Sequence, residues 1–383
     1  MAQRGENCLI AVAGHATAVT NSSIAGIIDE AARGEYLADI FGASGGVAGL
    51  ANGKMMDLGA QKRKVVEGLR RTPGSILSGQ HSAPGDTGLG DANATVEFLR
   101  ANGIGTLFLL GGLPAVALLR SFLDAAEKSN YPLVALGVPL SADNDVDAGD
   151  HTPGYGSAAR FAAGAARDGG RAAASGAQPL LVLELPGERS GWLAAASALA
   201  RDAGNPAPHC VLVPEQATDL EALTDEMRRA YQKWGYAVAV TTESAKATDG
   251  KPLHGDALCA LLGEAIGIAG RCDKPGSLTR VAQAAISRAD AEEAYNLGTL
   301  AVRLAGDECS AYVVTAGRDN GGERGDKGYR AVEGTARLDQ VSDAPRTLPE
   351  EYLTPTGTGV SEAFLDWARP LIGGALPEYT TLV

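Results

Sequence analysis

The chain has few features of secreted, membrane-embedded or nucleic-acid-binding proteins. Its five cysteines are widely spaced and include no C-x-x-C pair, so the sequence predicts neither a disulfide framework nor a thiolate metal site. No apolar run approaches the ~20 residues that a membrane-spanning helix needs. The net charge of −13 disfavours nucleic acid or an anionic membrane as a partner. We expect no signal peptide and a soluble, cytoplasmic protein.

What the chain does contain is typical of an α/β protein. Its 383 residues are enough for two domains, and its 50 glycines suit many tight turns between strands and helices. Continuously apolar runs, which parallel sheets covered on both faces require, alternate with helical patterns. The predicted strands are 8–13, 36–41, 106–110, 133–138, 180–185, 210–213 and 236–240. The predicted helices are 22–32, 93–102, 114–128, 156–167, 190–201, 219–234 and 256–269.

This alternation predicts doubly wound (Rossmann-like) parallel sheets with right-handed crossovers. Two further segments, 168–178 and 318–328, are rich in glycine with alanine or with charge, respectively. Because neither offers an apolar face to bury, both are predicted to be exposed loops.

The most informative motif is VPLSADND at residues 138–145, directly after a predicted buried strand. It places Asp143 and Asp145 one residue apart at the carboxyl end of that strand, where ligands and catalysis gather in open α/β sheets. A helix cap or a turn is the structural alternative, because Asp and Asn bind local backbone groups in such places. The motif DHTPG follows at residues 150–154.

The first motif resembles the P-K-T-I-D-N-D block of the phosphofructokinase family, and the chain resembles most the bacterial pyrophosphate-dependent members. Residues 11–21 (AVAGHATAVTN) are similar to their A-Q-S-G-G-P-T-A-V-I-N segment. The resemblance continues in residues 154–159 (GYGSAA), 184–194 (ELPGERSGWLA), 290–295 (DAEEAY) and 362–372 (EAFLDWARPLI).

The resemblance implies two α/β domains with the active site in the cleft between them. The donor-side domain would comprise residues 1–138 and about 279–330, and the sugar-phosphate-side domain residues 139–278 and 331–383. It also implies a homo-oligomer, a dimer or a tetramer, because in many members an arginine reaches the acceptor from a neighbouring subunit.

On the donor side, the resemblance implies that Gly14, Gly111 and Gly112 belong to phosphate-binding loops. Several usual groups are replaced here. Leu113 and Pro114 occupy positions of the family's metal-binding acids, and Leu140 occupies the lysine position of the P-K-T-I-D-N-D block. Mg²⁺ is thus the metal that the resemblance implies, but its usual ligand is missing, and we predict no protein-held metal and no other cofactor.

Two histidines also fall at donor-side positions of the family. His15 replaces the second glycine of the N-terminal loop, and His81 replaces an arginine. Two histidines in one site could bind a different ligand, and the alternative is that both are surface or packing residues.

On the acceptor side, the resemblance implies that Asp143 is the general base and that Asp145 helps to position metal and phosphoryl group. The implied substrate-binding residues are Ser141, Gly187, Glu215, Arg271 and Arg280, with the two arginines gripping the phosphate of the acceptor. The family's M-G-R arginine is replaced by Glu188, so the pocket is less cationic than usual.

Three hypotheses remain, and the sequence favours an enzyme. The first is a 6-phosphofructokinase with an atypical donor site. The second is a divergent phosphotransferase that acts on another phosphosugar or a related polyol. The third is a catalytically silent protein that binds a sugar phosphate. The retained Asp143–Asp145 pair disfavours the third, and the replaced donor groups disfavour the first, so the second is preferred.

Overall fold

The computed structural model describes residues 6–34, 37–50, 53–77, 91–202, 204–319 and 329–380. Across these ranges, no helix is long and apolar enough to cross a membrane. The chain divides into two compact units. Unit 1 comprises Met1–Gly154 and Asp290–Pro345, and unit 2 comprises Tyr155–Ala289 and Arg346–Val383. The division predicted from the sequence, at 138/139, near 279 and at 330/331, concerns donor and acceptor roles and stays a prediction.

The described residues form eleven strands. They are β1 (Glu6–Ala13), β2 (Leu37–Ala43), β3 (Met55–Asp57), β4 (Ile104–Gly111), β5 (Val134–Pro139), β6 (Leu180–Leu185), β7 (Cys210–Val211), β8 (Ala237–Thr242), β9 (Gly270–Asp273), β10 (Tyr312–Asp319) and β11 (Arg330–Arg337). All seven strands predicted from apolar runs are present, with ends that differ by up to two residues.

The described residues also form twelve α-helices. In unit 1 these are α1 (Thr20–Ala31), α2 (Gly46–Leu50), α3 (Arg63–Leu69), α4 (Ala92–Ala101) and α5 (Leu113–Lys128). Unit 2 contributes α6 (Tyr155–Ser175), α7 (Trp192–Ala196), α8 (Leu220–Trp234), α9 (Gly255–Ile266) and α10 (Leu278–Val281). The chain then forms α11 (Arg288–Gly306), most of which belongs to unit 1, and α12 (Glu362–Ala368) in unit 2.

Unit 1 is built on a seven-stranded sheet with the order β11-β10-β5-β4-β1-β2-β3. The five inner strands run parallel, and β3 and β11 add antiparallel edges. Strand β4 is buried along its whole length, which is why its sequence IGTLFLLG shows no polar alternation. The predicted α/β class with a doubly wound parallel sheet is therefore confirmed.

Helices α1 and α11 of unit 1 touch at two glycines. A Cβ atom on Gly26 would lie 2.1 Å from the carbonyl oxygen of Tyr295, and one on Gly298 would lie 2.3 Å from that of Ser23. Only glycine permits so close an approach of two helix backbones. This contact fixes α11, which carries Asp290 and Glu293, against the rest of unit 1.

Unit 2 contains a four-stranded parallel sheet with the order β7-β8-β6-β9. Its longest helix, α6, continues to Ser175, so the predicted loop at 168–178 is wrong over most of its length. Alanine favours helix strongly, and the glycines of this segment allow close packing. A Cβ atom on Gly169 would lie 2.5 Å from Cδ2 of Leu181.

The second predicted loop is also corrected in part. Arg318 and Asp319 are the last two residues of β10, while residues 320–328 lie outside the described residues. The mixed charge of this segment predicts exposure to solvent, but Arg318 is fixed by an ion pair with Asp150 in unit 1. Strands β3, β9, β10 and β11 were not predicted.

Candidate active site

Three strand ends of unit 1 lie side by side at one edge of its sheet. In the strand register Ala13 pairs with Gly111, and Gly111 pairs with Pro139. The chain leaves β1 towards β2 on one side and later returns to β4 on the other, so β1 and β4 flank a topological switch point. Ligands bind at such points in open α/β sheets. We call the loops that follow β1, β4 and β5 the unit 1 edge.

Glycines bring the backbone of these loops close together. Gly14 has φ +81°, a conformation that glycine adopts without steric cost. A Cβ atom on Gly111 would lie 2.2 Å from the carbonyl oxygen of Ala13, and one on Gly112 would lie 2.8 Å from Oδ1 of Asp145. The structure thus brings Gly111 against the end of β1 and Gly112 against Asp145, while the phosphate-binding roles of Gly14, Gly111 and Gly112 stay predictions.

Asp145 lies directly over the loop that follows β4. Its Oδ2 accepts a hydrogen bond from the backbone N–H of Leu113 at 3.3 Å, at the start of α5. Its Oδ1 is buried and has no hydrogen-bond partner among the described residues. A buried carboxylate oxygen that lacks a partner is costly unless a ligand satisfies it. Asp145 is therefore placed to meet a ligand at the unit 1 edge.

Asp143 is held through its neighbours. Its backbone N–H donates to Oγ of Ser141 at 3.2 Å. The next residue, Asn144, is fully buried with φ +53°, a left-handed conformation that Asn tolerates better than most residues. Its Oδ1 accepts from the backbone N–H of Thr152 at 2.8 Å. These bonds fix the turn that carries both acids.

The replaced donor-side residues have different environments. Leu113 and Leu140 are buried, with exposed fractions of 7% and 2%. His15 is exposed beside Gly14. His81 lies outside the described residues, and a site formed by the two histidines stays a prediction.

The carboxylates at this edge allow a limited test of a magnesium site. Proteins bind Mg²⁺ through one or two carboxylates, completed by substrate phosphates and water. Asp145 offers one buried oxygen, whereas Leu113 and Pro114 offer no side-chain oxygen. Over the described ranges, no three His, Cys, Asp or Glu residues are grouped so that they could hold a metal. The residues fit an ion that arrives with a polyphosphate better than one that the protein holds alone.

Unit 2 presents a second set of predicted site residues near its own strand ends. The N–H of Gly187 donates to Oε2 of Glu243 at 2.7 Å, just after β6 and β8. Glu215 accepts from the N–H of Gly191 with both oxygens, at 3.0 and 3.1 Å, and from that of Leu348 at 3.0 Å. A sugar hydroxyl would have to share these oxygens with the backbone. The roles of Gly187 and Glu215 in binding stay predictions.

The two predicted phosphate-binding arginines are both in unit 2. Nε of Arg271, on the edge strand β9, lies 3.1 Å from Oδ2 of Asp273. Arg280, on α10, has a buried Nε with no hydrogen-bond partner among the described residues. Arg280 therefore keeps a donor for a ligand, whereas Arg271 shares its charge with Asp273.

A charged cluster beside these residues was missed by sequence reasoning. Oε1 of Glu184 lies 3.3 Å from Nζ of Lys274, and its Oε2 lies 3.6 Å from Nδ1 of His254. The hydrogen bond and charge of Glu184 raise the pKa of Lys274. Glu243 was also missed, although it follows the apolar strand 236–240 closely, the same signal that singled out Asp143. We call Glu184, Glu243, His254, Arg271 and Lys274 the unit 2 cluster.

Taken separately, the two units define a class of protein: doubly wound α/β units with acids and glycine loops at a sheet edge. The family model for phosphofructokinase matches residues 7–305. A pyrophosphate–fructose 6-phosphate 1-phosphotransferase of Methylococcus capsulatus is 28% identical over 406 aligned residues, covering 98% of this chain and 96% of that protein. A sulfofructose kinase of Alkalicoccus urumqiensis is 28% identical over 390 residues, covering 97% and 96%.

A solved structure agrees with these relatives. The crystal structure of a pyrophosphate-dependent phosphofructokinase from Marinobacter aquaeolei matches with a TM-score of 0.87 and 27% identity, covering 98% of this chain and 94% of that one. The chain therefore belongs to the phosphofructokinase family, which confirms the resemblance found in the sequence.

Proposed function

We propose that the protein transfers a phosphoryl group to a hydroxyl of a phosphosugar or a related anionic polyol. The observation that carries this proposal is the unit 1 edge. There Asp145, in the loop after β5, bonds to the loop after β4, and Asp143 precedes it by two residues. A protein that only bound a sugar phosphate would have no need for two acids at the switch point of the sheet.

In this proposal Asp143 is the general base. Its carboxylate accepts the proton of the acceptor hydroxyl as that oxygen attacks the phosphorus atom, and the leaving group departs from the opposite side. Asp145, through its buried Oδ1, would hold a Mg²⁺ ion that arrives with the donor, and that ion would neutralise negative charge on the transferring phosphoryl group. In this proposal the backbone N–H groups of the glycine loops stabilise the negative charge that develops on the transferring phosphoryl group, and no side-chain cation is assigned to that task.

In this proposal unit 2 binds the anionic group of the acceptor. Arg280 supplies a donor that is free among the described residues, and Arg271 supplies a second guanidinium. A guanidinium binds phosphate in a bidentate manner, and the planar fork also matches a sulfonate. The names of two relatives, one acting on fructose 6-phosphate and one on sulfofructose, support a ketose with an anionic group as the substrate class.

The proposed donor use is atypical. Leu113 and Leu140 place apolar side chains where the family carries an acid and a lysine, and both are buried. We expect a weak ordinary ATP–Mg²⁺ or pyrophosphate–Mg²⁺ site, with turnover at least 10-fold below that of a variant with both groups restored. The homo-oligomer stays part of this proposal.

A silent sugar-phosphate-binding protein is the second candidate function. The observation that favours it is the same pair of leucines, because their burial leaves no space reserved for the missing charged groups. Binding without turnover would support this candidate.

The test is the variant Asp143→Ala, compared with wild-type protein for both turnover and binding. Loss of the general base should lower kcat by about 10²–10⁴-fold, which is the range that a positioned base contributes. The melting-temperature shift produced by fructose 6-phosphate should stay the same. The matched control is Asp147→Ala, an exposed acid on the same loop, which should keep wild-type kcat. Equal turnover in Asp143→Ala and wild type would refute the assigned base.

A further inference from the structure

His151, in the DHTPG motif of unit 1, is held between two carboxylates. Its side chain is fully buried. Nδ1 lies 3.1 Å from Oδ2 of Asp150, and Nε2 lies 2.6 Å from Oε2 of Glu293 on α11. Ionised carboxylates only accept hydrogen bonds, and a neutral imidazole has just one N–H. Both contacts can be hydrogen bonds to ionised carboxylates only if His151 is a doubly protonated imidazolium.

The charges around His151 agree with this protonation state. Nη2 of Arg318, on β10, lies 3.0 Å from Oδ2 of Asp150. The hydroxyl of Tyr329 donates to Oε1 of Glu293 at 2.6 Å, and the Arg318 guanidinium lies 4.7 Å from the centre of the Tyr329 ring. Two carboxylates thus face one guanidinium and one imidazole. Among these four groups the charges balance when His151 is positively charged, and an unbalanced buried charge is costly.

The same contacts determine the direction in which the pKa of His151 is shifted. Burial lowers the pKa of His151, but its hydrogen bonds and charge interactions with Asp150 and Glu293 outweigh burial and raise the pKa to about 9. Burial would raise the pKa of Asp150, yet its bonds to His151 and Arg318 hold it below its usual range. Partly buried His209 of unit 2 is the opposite case, since its burial and the charge of Arg201 lower its pKa to about 4.

The segment that contains His151 is bonded to the turn with the two acids. The N–H of Thr152 donates to Asn144 Oδ1, and the N–H of Ser141 donates to the carbonyl oxygen of Pro153 at 2.9 Å. At its other side the segment is bonded to β10 and α11. The N–H of Asp150 donates to the carbonyl oxygen of Ala316 at 2.7 Å, and the N–H of Gly154 donates to Oδ1 of Asp290 at 2.6 Å.

We propose that His151 is a positioning residue for Asp143 and Asp145. Its imidazolium fastens residues 150–154 to α11, and this segment holds Asn144 and so the turn between the two acids. The catalytic part of this inference rests on the proposed function, whereas the structural part does not.

The first experiment measures the protonation of His151 by NMR on protein with ¹³C- and ¹⁵N-labelled histidine, titrated from pH 5 to 10. We expect the His151 ring to stay protonated up to pH 8 and the His209 ring to be neutral at pH 6. A neutral His151 at pH 7 would place the shared proton on a carboxylate and overturn the proposal. In Glu293→Gln the pKa of His151 should fall by at least one unit, and an unchanged value would also contradict it.

The second experiment asks whether His151 positions the acids. In His151→Gln, backbone hydrogen exchange in residues 141–154 should become at least 10-fold faster, and kcat should fall about 10- to 100-fold with a KM within threefold of wild type. His209→Gln, the same substitution at a partly buried histidine in unit 2, should change neither quantity. Unchanged exchange in residues 141–154 of His151→Gln would overturn the positioning role.

The two readouts separate this inference from the proposed function. If wild-type protein shows no phosphoryl transfer, the proposed function fails, and hydrogen exchange alone decides whether His151 holds the turn. If His151→Gln does not fold, the NMR titration of Glu293→Gln decides whether the charged network exists. If kcat is unchanged while exchange becomes faster, the segment is held by His151 but does not position Asp143.

The pH dependence of the stability of the wild-type protein should also reveal the positive charge of His151. The folded-state pKa of His151 is raised above the unfolded value near 6.5. Its stabilising contribution is therefore complete below pH 6.5 and is lost as the pH rises through about 9. The melting temperature of wild type should fall between pH 7 and 9.5 more steeply than that of His151→Gln, and parallel curves would contradict a charged His151.

Discussion

The unit 1 edge and the unit 2 cluster hold their charged groups in different ways. In unit 1, the turn with Asp143 and Asp145 is fixed by backbone N–H groups and by the buried amide of Asn144. In unit 2, charged side chains bond mostly to each other, as in the pairs Arg271–Asp273 and Lys274–Glu184, and several are half exposed.

This difference has a consequence for function. Groups held by buried backbone bonds keep their geometry without a ligand, as a base in proton transfer requires. Paired surface charges are held weakly, because such pairs contribute about 0–1 kcal/mol. A ligand with an anionic group can therefore displace Asp273 from Arg271 at little cost. In the proposed function, this difference suits unit 1 to the chemistry and unit 2 to adaptable binding.

Of the substitutions that test this difference between the units, we expect the largest effect at Asn144. Asn144→Ala removes the acceptor of the Thr152 N–H and places a Cβ-bearing residue without a polar side chain at φ +53°. We expect the free energy of unfolding to fall by about 2–4 kcal/mol and kcat to fall about 10²-fold. Asn144→Gly, which tolerates positive φ, should recover about 1 kcal/mol but little activity. Wild-type kcat in Asn144→Ala would contradict a fixed turn.

The next largest effect is expected in unit 2. Arg280→Ala removes a guanidinium whose Nε is buried without a hydrogen-bond partner among the described residues, so the KM for an anionic sugar should rise about 10- to 100-fold, equal to about 1.5–3 kcal/mol. Because Arg280 is assigned to binding, kcat should change less than threefold. Steady-state kinetics measure both quantities. Arg229→Ala, an exposed arginine on α8, is the control and should leave KM unchanged. A fall in kcat at constant KM would contradict the division between the units.

The smallest effect is expected from a substitution that should strengthen anion binding by unit 2. Asp273→Asn removes the negative charge that competes for Arg271, while the side chain keeps nearly the same size. Arg271 is then freer to bind an anion, and calorimetry should show an affinity for inorganic phosphate about two- to fivefold higher. The gain should shrink at high salt, since salt screens exposed charges. A weaker affinity would mean that Asp273 orients Arg271 rather than competes with it.

Much of the fold could be predicted from the sequence, for reasons visible in particular elements. Strands such as β4 are buried on both faces and therefore read as apolar runs. Strand β11 has mostly exposed or half-buried residues, and β9 is a short edge strand, so neither gave such a signal. The segment 168–178 is predicted to be a loop because glycine and alanine offer no large apolar side chain. Small residues are nevertheless what close packing of α6, which continues to Ser175, requires.

The candidate site was predictable only where single residues follow a strand. Asp143 and Asp145 could be singled out in this way, whereas the glycines at 14, 111 and 112 were indicated by the family resemblance, and the roles of all five stay predictions. The partners of His151 could not, because Glu293 is 142 residues away in the chain and only the fold brings its Oε2 to 2.6 Å. The pairing of Lys274 with Glu184 likewise arises from neighbouring parallel strands, β6 and β9, rather than from any motif.

The most direct test of the account is ³¹P NMR of wild-type protein with Mg²⁺, ATP or pyrophosphate, and a panel of ketose and polyol phosphates with sulfofructose. The account predicts a new phosphate ester on at least one anionic acceptor, and no such ester with Asp143→Ala. Fructose 6-phosphate with pyrophosphate is the reference pair. No new ester on any acceptor, together with a raised melting temperature in the same sugars, would contradict phosphoryl transfer and support a protein that only binds them.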